Sequence, residues 1–453
     1  MQKTILTNII NDKINWIINR KKKQSLISFK SNIVKSERNF YQALKGIKPV
    51  FILECKKSSP SKGLICKNFD PIKISLIYKD FATIISVVTE EKYFQGNIDF
   101  IPLISKTVTQ PILCKDFIID SYQIYLARIY KADAILLMLS ILTNEKYNQF
   151  VSIAHSLNMG VLTEIINEEE LKRAIFLKAK VIGINNRNLQ DLSVDLNRTI
   201  QLAPYIPSEI TIISESGIDK HSQIRKLNHY VNGFLIGSAL MKETDLRTAV
   251  CRIIFGDNKI CGLTRQEDVI STYKVGAIYG GLIFIPHSCR YINVNHIDKI
   301  ISGIPLKYVG VFCNEKILFI VKNVERFGLQ AVQLHGEENQ NYINILRSIL
   351  PTYCQIWKVL SVTYKLPSRN FKKVDRFLLD NGSGGTGKSF DWTILKDEDL
   401  SNTMLSGGLN QNNCIEALKF NSIGLDFNSG VESHPGIKDI VRLTSIFNIL
   451  RIY

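Results

Sequence analysis

Short apolar runs recur along the chain about every 25–35 residues, with helix-like stretches between them. In the first half they occupy 49–57, 83–90, 111–117, 132–140, 160–165, 180–187, 211–218 and 233–240. Each run is continuous and rich in Ile, Val and Leu, the pattern of a strand buried on both faces. Each ends in polar or glycine residues. The segments between them read as helices, for example 121–132 and 167–179. Asn167 before Glu168, Glu169 and Glu170 combines an N-cap with acids at the positive end of the helix dipole. Eight strands alternating with helices predict a (β/α)8 barrel, here preceded by a long helical prefix over 5–23.

The second half repeats the count in less space. Its runs are 258–264, 277–286, 308–313, 331–336, 355–361, 376–382, 403–409 and 423–431. The predicted architecture is α/β: two consecutive (β/α)8 TIM barrels, 1–255 and 256–453, the first carrying an N-terminal helical extension. The boundary is placed near Phe255–Asn258.

Composition changes this picture little. At 453 residues, 45% apolar and 22% charged, the chain is ordinary globular material. The net charge of +16 invites a polyanion partner. However, 12 of those charges fall on residues 1–255 and 4 on 256–453, and the only dense basic run is Arg20-Lys21-Lys22-Lys23. No finger spacing, basic region with heptads or aromatic RNA-binding pattern accompanies them. Enrichment in Ile, Lys and Asn fits the codon bias of an AT-rich genome, so no nucleic-acid partner is expected. Nine scattered cysteines without a C-x-x-C pair suit reduced thiols in the cytoplasm. Polar Asn8, Asn11, Asp12 and Lys13 rule against a signal peptide, and no stretch of 18 apolar residues predicts a membrane span.

Barrel chemistry sits at the C-terminal ends of strands, and titratable residues fall there repeatedly. Glu54 and Lys56 end the first run, Lys115 the third, Glu164 the fifth, Asn185 and Arg187 the sixth, and Glu215 and Ser216 the seventh. Lysines and carboxylates converging on one mouth tune each other for acid–base work. Gly217 after the seventh run and Gly237-Ser238 after the eighth fit a phosphate cup of exposed backbone N–H groups.

Five blocks of this half, E-C-K-K-S-S-P-S (54–61), L-C-K-D-F (113–117), L-T-E-I (162–165), G-I-N-N-R-N-L (183–189) and S-E-S-G-I (214–218), resemble indole-3-glycerol phosphate synthase. The resemblance implies Lys115 as the acid on the substrate ketone during ring closure and Glu164 as acid or base in later steps. It also implies that Lys56 assists dehydration and meets the substrate carboxylate, and that Glu54 and Asn185 orient the anthranilate side. Ser59, Gly217, Gly237 and Ser238 would hold the phosphate, with Arg187 and Ser216 lining the site. Ser121 stands where the family often has Pro, and Ile166 where it often has His.

The second half resembles phosphoribosylanthranilate isomerase through K-I-C-G-L-T (259–264), S-C-R-Y-I (288–292), Q-L-H-G-E-E (333–338), G-G-T-G-K-S-F-D-W (384–392), L-S-G-G-L-N (405–410) and D-F-N-S-G-V-E (426–432). This implies Cys261 as general base, Asp380 as general acid and Arg290 as the grip on the anthranilate carboxylate. Gly407-Gly408 and Ser429-Gly430 would cradle the phosphate. A cysteine base acts as its thiolate, which calls for a lowered pKa.

Together the resemblances imply a bifunctional tryptophan-biosynthesis enzyme acting on small phosphorylated anthranilate derivatives. No metal or redox cofactor is implied, and the chain is expected to be a monomer. A rival reading comes from Gly382–Ser389, which satisfies the nucleotide P-loop pattern G-x-x-x-x-G-K-[ST]. Against it, Phe390-Asp391-Trp392 opens no strong helix, and the unit stands sixth in a barrel. The segment is better read as a loop folding over the isomerase site. His335 and Glu337 lack the further ligands of a metal centre. His221 and His434 read as surface or loop residues.

Overall fold

The computed structural model describes residues 4–47, 49–382 and 387–452. The chain divides into two compact units, Met1–Val250 and Cys251–Tyr453, the division falling within the helix Leu246–Phe255. All sixteen apolar runs carry a strand, and each unit closes eight of them into a parallel barrel.

The first barrel is built from β1 (Val50–Cys55), β2 (Ile84–Val88), β3 (Ile112–Lys115), β4 (Ala134–Met138), β5 (Gly160–Ile165), β6 (Val181–Asn185), β7 (Thr211–Glu215) and β8 (Gly233–Ile236). The strands pair in chain order, and β8 closes on β1 with Val50 opposite Gly233. Their apolar runs are continuous because both faces are covered: every residue of β1, β2, β4, β5, β6 and β8 is buried. Inside lies a core of Ile52, Ile84, Leu113, Leu136, Leu162, Ile213 and Leu235.

The prefix is part of this body. The helix Ile5–Lys23 is capped by the Thr4 hydroxyl and places Ile9 in the core. The short helix Phe40–Ala43 sends Phe40 to the start of β5. A Cβ on Gly160 would lie 2.3 Å from the Phe40 ring, so this ring plugs the N-terminal end of the barrel. The basic run Arg20–Lys23 is the last turn of the prefix helix, where cations oppose the dipole's negative end. Arg20 donates to the Tyr130 hydroxyl at 2.7 Å, and Lys21 pairs with Asp120 at 2.7 Å. The run therefore has intramolecular work.

The helix Ser121–Ile129 is capped by Asp120, and Glu168–Phe176 by Asn167, whose side chain accepts from the Glu170 N–H.

The second barrel contains β9 (Lys259–Ile260), β10 (Tyr279–Ile283), β11 (Lys307–Phe312), β12 (Ala331–Leu334), β13 (Gln355–Val362), β14 (Arg376–Asn381), β15 (Thr403–Leu405) and β16 (Gly424–Phe427). These too pair in chain order, with Lys259 of β9 opposite Asp426 of β16 at the closure. Among the described residues, no helix is long and apolar enough to cross a membrane.

Candidate active sites

At the C-terminal mouth of the first barrel, Glu54 lies between two lysines. Its Oε1 is 2.5 Å from Lys56 Nζ and its Oε2 is 2.9 Å from Lys115 Nζ. Lys115 also donates to Glu215 Oε2 at 3.1 Å. Four strand ends thus meet through one cation, since β1, β3 and β7 supply the groups and Glu164 of β5 adds its charge. Parallel pairing sets Asn185 beside Glu215, and the Asn185 amide favours the ionised form of Glu164. Glu164 Oε1 and Glu215 Oε1 are buried without a hydrogen-bond partner.

The electrostatics separate the carboxyls. Burial opposes the ionised form of Glu54, but Lys115 and Lys56 outweigh it and hold the group down to about 2. Burial would likewise strip the proton from Lys115, yet Glu54, Glu215 and Glu164 keep it above its ordinary value. Lys56 is lowered, because burial and the nearby Lys115 exceed the help of Glu54. Glu164 is pushed up to about 8 by burial and by Glu215, against the pull of Lys115. One mouth therefore holds a fixed anion, a fixed cation and a carboxyl that is neutral at pH 7, a separation typical of acid–base sites.

The first-barrel residues expected at the site line one cavity of about 340 Å³, except Glu215, which reaches it through Lys115. Glu54, Lys56, Lys115, Glu164 and Asn185 share it with Ser59, Arg187, Ser216, Gly217, Gly237 and Ser238. Ser216 and Gly217 turn with φ of +65° and +82°. Gly237 has a separate reason to be glycine: a Cβ would sit 2.3 Å from Glu54 Oε1. Since Glu54 is pinned by two ion pairs, Gly237→Ala is expected to lower synthase-type turnover about 10–10²-fold, by displacing the carboxylate from its lysines. Steady-state assays of both reactions on the same chain check this, with the second barrel's reaction unchanged.

Several contributors escaped the sequence reading. Ile5, Ile9, Phe94 and Phe117 form an apolar wall of the cavity. Lys13, 3% exposed, reaches from the prefix helix to Asp116 at 2.7 Å, immediately after Lys115. Gly183 leaves room for the Glu215 carboxylate, which a Cβ there would meet at 2.0 Å. Phe117 and Gly183 stood in the quoted blocks without an assigned role, and Lys13 left a trace as a charged position on a largely apolar helical stripe.

In the second barrel Cys261 follows β9 directly and Asp380 lies in β14. Both line a cavity of about 380 Å³ with Arg290, Gly407, Gly408 and Ser429. Gly430 lies outside this lining. Its backbone packs against the carbonyl of Leu409, where a Cβ would lie 2.0 Å away. Asp380 Oδ1 accepts from the Asn381 N–H at 2.8 Å, and burial raises its carboxyl above the ordinary 3.8. A raised carboxyl suits a proton donor.

Cys261 departs from the expected direction. Burial raises the thiol above its ordinary 9.0, and nearby Lys259 only partly counters this. The cause is a strand end sunk into a dry barrel, which sequence spacing does not report. Arg290 also differs from a free grip. Its Nε and Nη2 fork onto Glu432 Oε2 at 3.0 and 2.8 Å, and Glu432 in turn accepts from Lys438 at 2.7 Å. Glu432 and Asp426 both stood in the quoted D-F-N-S-G-V-E block without an assigned role.

Of the P-loop-like segment, residues 383–386 lie outside the described residues. Its far end packs on the glycine turn: a Cβ on Gly408 would lie 2.6 Å from the Lys388 carbonyl carbon. Asn381 Nδ2 donates to the Lys388 carbonyl at 3.0 Å, and Gly387 reaches the cavity.

Comparison with known proteins assigns these two bodies. The pattern of the indole-3-glycerol phosphate synthase family matches residues 6–253, and that of N-(5'phosphoribosyl)anthranilate (PRA) isomerase matches residues 258–449. Relatives match over the whole chain. A protein of Yersinia pestis called "Tryptophan biosynthesis protein TrpCF" is 57% identical over 100% of this chain and 95% of its own length. Proteins of the same description from Salmonella typhi and from Buchnera aphidicola subsp. Schizaphis graminum are each 56% identical over 99% of this chain and 100% of their own. No finding supports a nucleotide-binding alternative. The chain belongs to the family of bifunctional tryptophan-biosynthesis enzymes, in which an indole-3-glycerol phosphate synthase and an N-(5'-phosphoribosyl)anthranilate isomerase are joined in one polypeptide.

Proposed function

We propose that the two reactions are divided among the residues as follows, and that the domains span 1–255 and 256–453. In the second barrel, Asp380 gives its proton to the ribose ring oxygen of N-(5-phosphoribosyl)anthranilate as the ring C–O bond breaks. The Cys261 thiolate then takes the C2′ proton of the resulting imine, and the electron pair moves to the nitrogen side, giving the enolamine of 1-(2-carboxyphenylamino)-1-deoxyribulose 5-phosphate. The placement of Asp380 and Cys261 on one cavity supports this. Arg290, held rigid by Glu432, meets the anthranilate carboxylate, a role suited to a planar fork. Gly407, Gly408, Ser429 and Gly430 provide the phosphate end.

In the first barrel, Lys115 protonates the ketone oxygen as the new carbon–carbon bond forms. The ring carboxylate leaves as CO2, its bonding electrons returning to the ring. Glu164 gives its proton to the departing hydroxyl, which leaves as water, and recovers one from C1′, so its own protonation state is restored. Lys56 meets the carboxylate before it leaves, and Glu54 and Asn185 fix the aromatic side. Glu215 holds Lys115, while Arg187 and Ser216 border the substrate. Ser59, Gly217, Gly237 and Ser238 take the phosphate. The apolar wall of Ile5, Ile9, Phe94 and Phe117 gives the aromatic ring a dry seat.

The observation that carries this division is the placement of Glu54 between the ammonium groups of Lys56 and Lys115 while Glu164 Oε1 is buried without a hydrogen-bond partner, which holds Glu54 down to about 2 and pushes Glu164 up to about 8. A group that must start protonated and is raised to about 8 loses activity as pH rises through that value. Synthase turnover is therefore expected to fall with an alkaline midpoint near 8, and Glu164→Gln to remove that limb along with most of the rate. A pH–rate profile of the synthase step alone checks this. A rate that rises through pH 8 would assign Glu164 as an initial base instead.

Each cavity is lined by this chain's own residues, so a monomer suffices for both reactions. The +16 charge needs no nucleic-acid partner on this reading, and the nine free thiols suit the cytoplasm.

A further inference from the structure

Lys259 stands two positions before Cys261, so the two side chains project to the same side of the chain, into the barrel. Lys259 is completely buried. Its Nζ donates to Asp426 Oδ2 at 2.7 Å, and Asp426 is its register partner on β16. Lys259 and Cys261 converge on the same gap. A Cβ on Gly281 of β10 would lie 2.7 Å from Cys261 Sγ and 3.0 Å from Lys259 Cε. The ammonium's charge favours the ionised thiol.

A buried ion pair is a poor way to stabilise a fold, because the desolvation of both charges offsets their attraction. This one sits under a reactive group and lines the cavity through Asp426, whose Oδ1 has no hydrogen-bond partner. We propose that Lys259 is a positioning residue of the isomerase: its ammonium, fixed by Asp426, stabilises the thiolate of Cys261 from below. The inference rests on Cys261 being the base.

The other charges acting on the thiol are Asp426, Lys438 and Arg290, with Asp380 sharing the cavity. Asp426 opposes ionisation of the thiol and Lys438 favours it, while burial remains the largest influence. Of these groups Lys259 favours the thiolate most, and its Cε shares with Cys261 Sγ the gap over Gly281.

A neutral Asp380 with an ionised Cys261 holds as many protons as the reverse arrangement. The productive share is then constant between the two titrations and set by the gap separating them. Each unit by which the gap widens lowers kcat/KM about tenfold.

The test uses the full chain carrying Lys259→Met, beside a double variant, Lys259→Met with Asp426→Leu, that avoids stranding a buried carboxylate. The pH dependence of Cys261 alkylation by iodoacetamide is read on its peptide, with exposed Cys289 as an internal reference. The isomerase pH profile is read in parallel. The expected result is an alkylation midpoint raised by about one unit in Lys259→Met and by less in the double variant, which also loses the opposing Asp426 charge, with the alkaline edge displaced equally in each and kcat/KM lowered about tenfold for each unit the edges move apart. Activity lost with an unmoved Cys261 midpoint, or activity retained in full, would overturn the proposal. Cys261→Ser with undiminished isomerase activity would instead remove the assignment of the base, so the two failures are distinguishable.

Discussion

Asp380→Asn is expected to abolish isomerase turnover, by about 10²–10⁴-fold, while leaving the synthase rate on supplied carboxyphenylamino-deoxyribulose phosphate unchanged. The substitution keeps shape and the acceptor for the Asn381 N–H, so the turn after β14 is preserved. Gly407, which has no room for a Cβ beside Asp380 Oδ1, still seats the side chain. What disappears is the transferable proton. An amide can donate a hydrogen bond to the ring oxygen but cannot release a proton to it, so the C–O bond lacks its acid. The measurement is isomerase kcat/KM by anthranilate fluorescence loss, with thermal unfolding as the check on folding.

Lys115→Ala is expected to have the mirror effect: synthase turnover falls by about 10²–10⁴-fold and isomerase turnover is retained. Here more than a proton donor is lost. Lys115 is the charge that holds down Glu54 and opposes the rise of Glu164 and Glu215. Without it, Glu54 keeps only Lys56, and Glu215 is left buried with no cation in contact. The remaining carboxyls are expected to titrate at higher pH, so the residual synthase activity should have its alkaline limb displaced upward. Because removal of one partner strands buried charge, the variant should also unfold at lower temperature. Retained isomerase activity on the same chain shows that the second barrel is intact.

The fold was legible because parallel barrel strands are buried on both faces, which makes each a continuous apolar run: all sixteen runs hold a strand. Strand ends also told where to look. Glu54, Lys56, Lys115, Glu164 and Asn185 were named from position alone and converge on one cavity. What the sequence hid is contact between residues far apart in the chain. The pairing of Lys13 with Asp116 joins residues about a hundred positions apart, and that of Lys259 with Asp426 spans 167. Gly183 had no role in the sequence and Gly237 read as part of a phosphate cup; that each leaves room for a carboxylate emerges only with Glu215 and Glu54 in place. The Cys261 thiol was expected low because its chemistry demands a thiolate. Burial, which depends on the closed barrel, moves it the other way. The basic run Arg20–Lys23, a short exposed patch in the sequence, is a helix terminus whose Arg20 and Lys21 meet Tyr130 and Asp120 of their own barrel.

The central claim is that each barrel holds a complete site for one step. Phosphoribosylanthranilate is supplied to Asp380→Asn alone, to Lys115→Ala alone, and to an equimolar mixture of the two. The account predicts no indole-3-glycerol phosphate from either variant alone and its formation by the mixture, with the deoxyribulose intermediate accumulating in the Lys115→Ala sample. Failure of the mixture when both proteins are folded, or loss of both reactions from a single substitution, would contradict it.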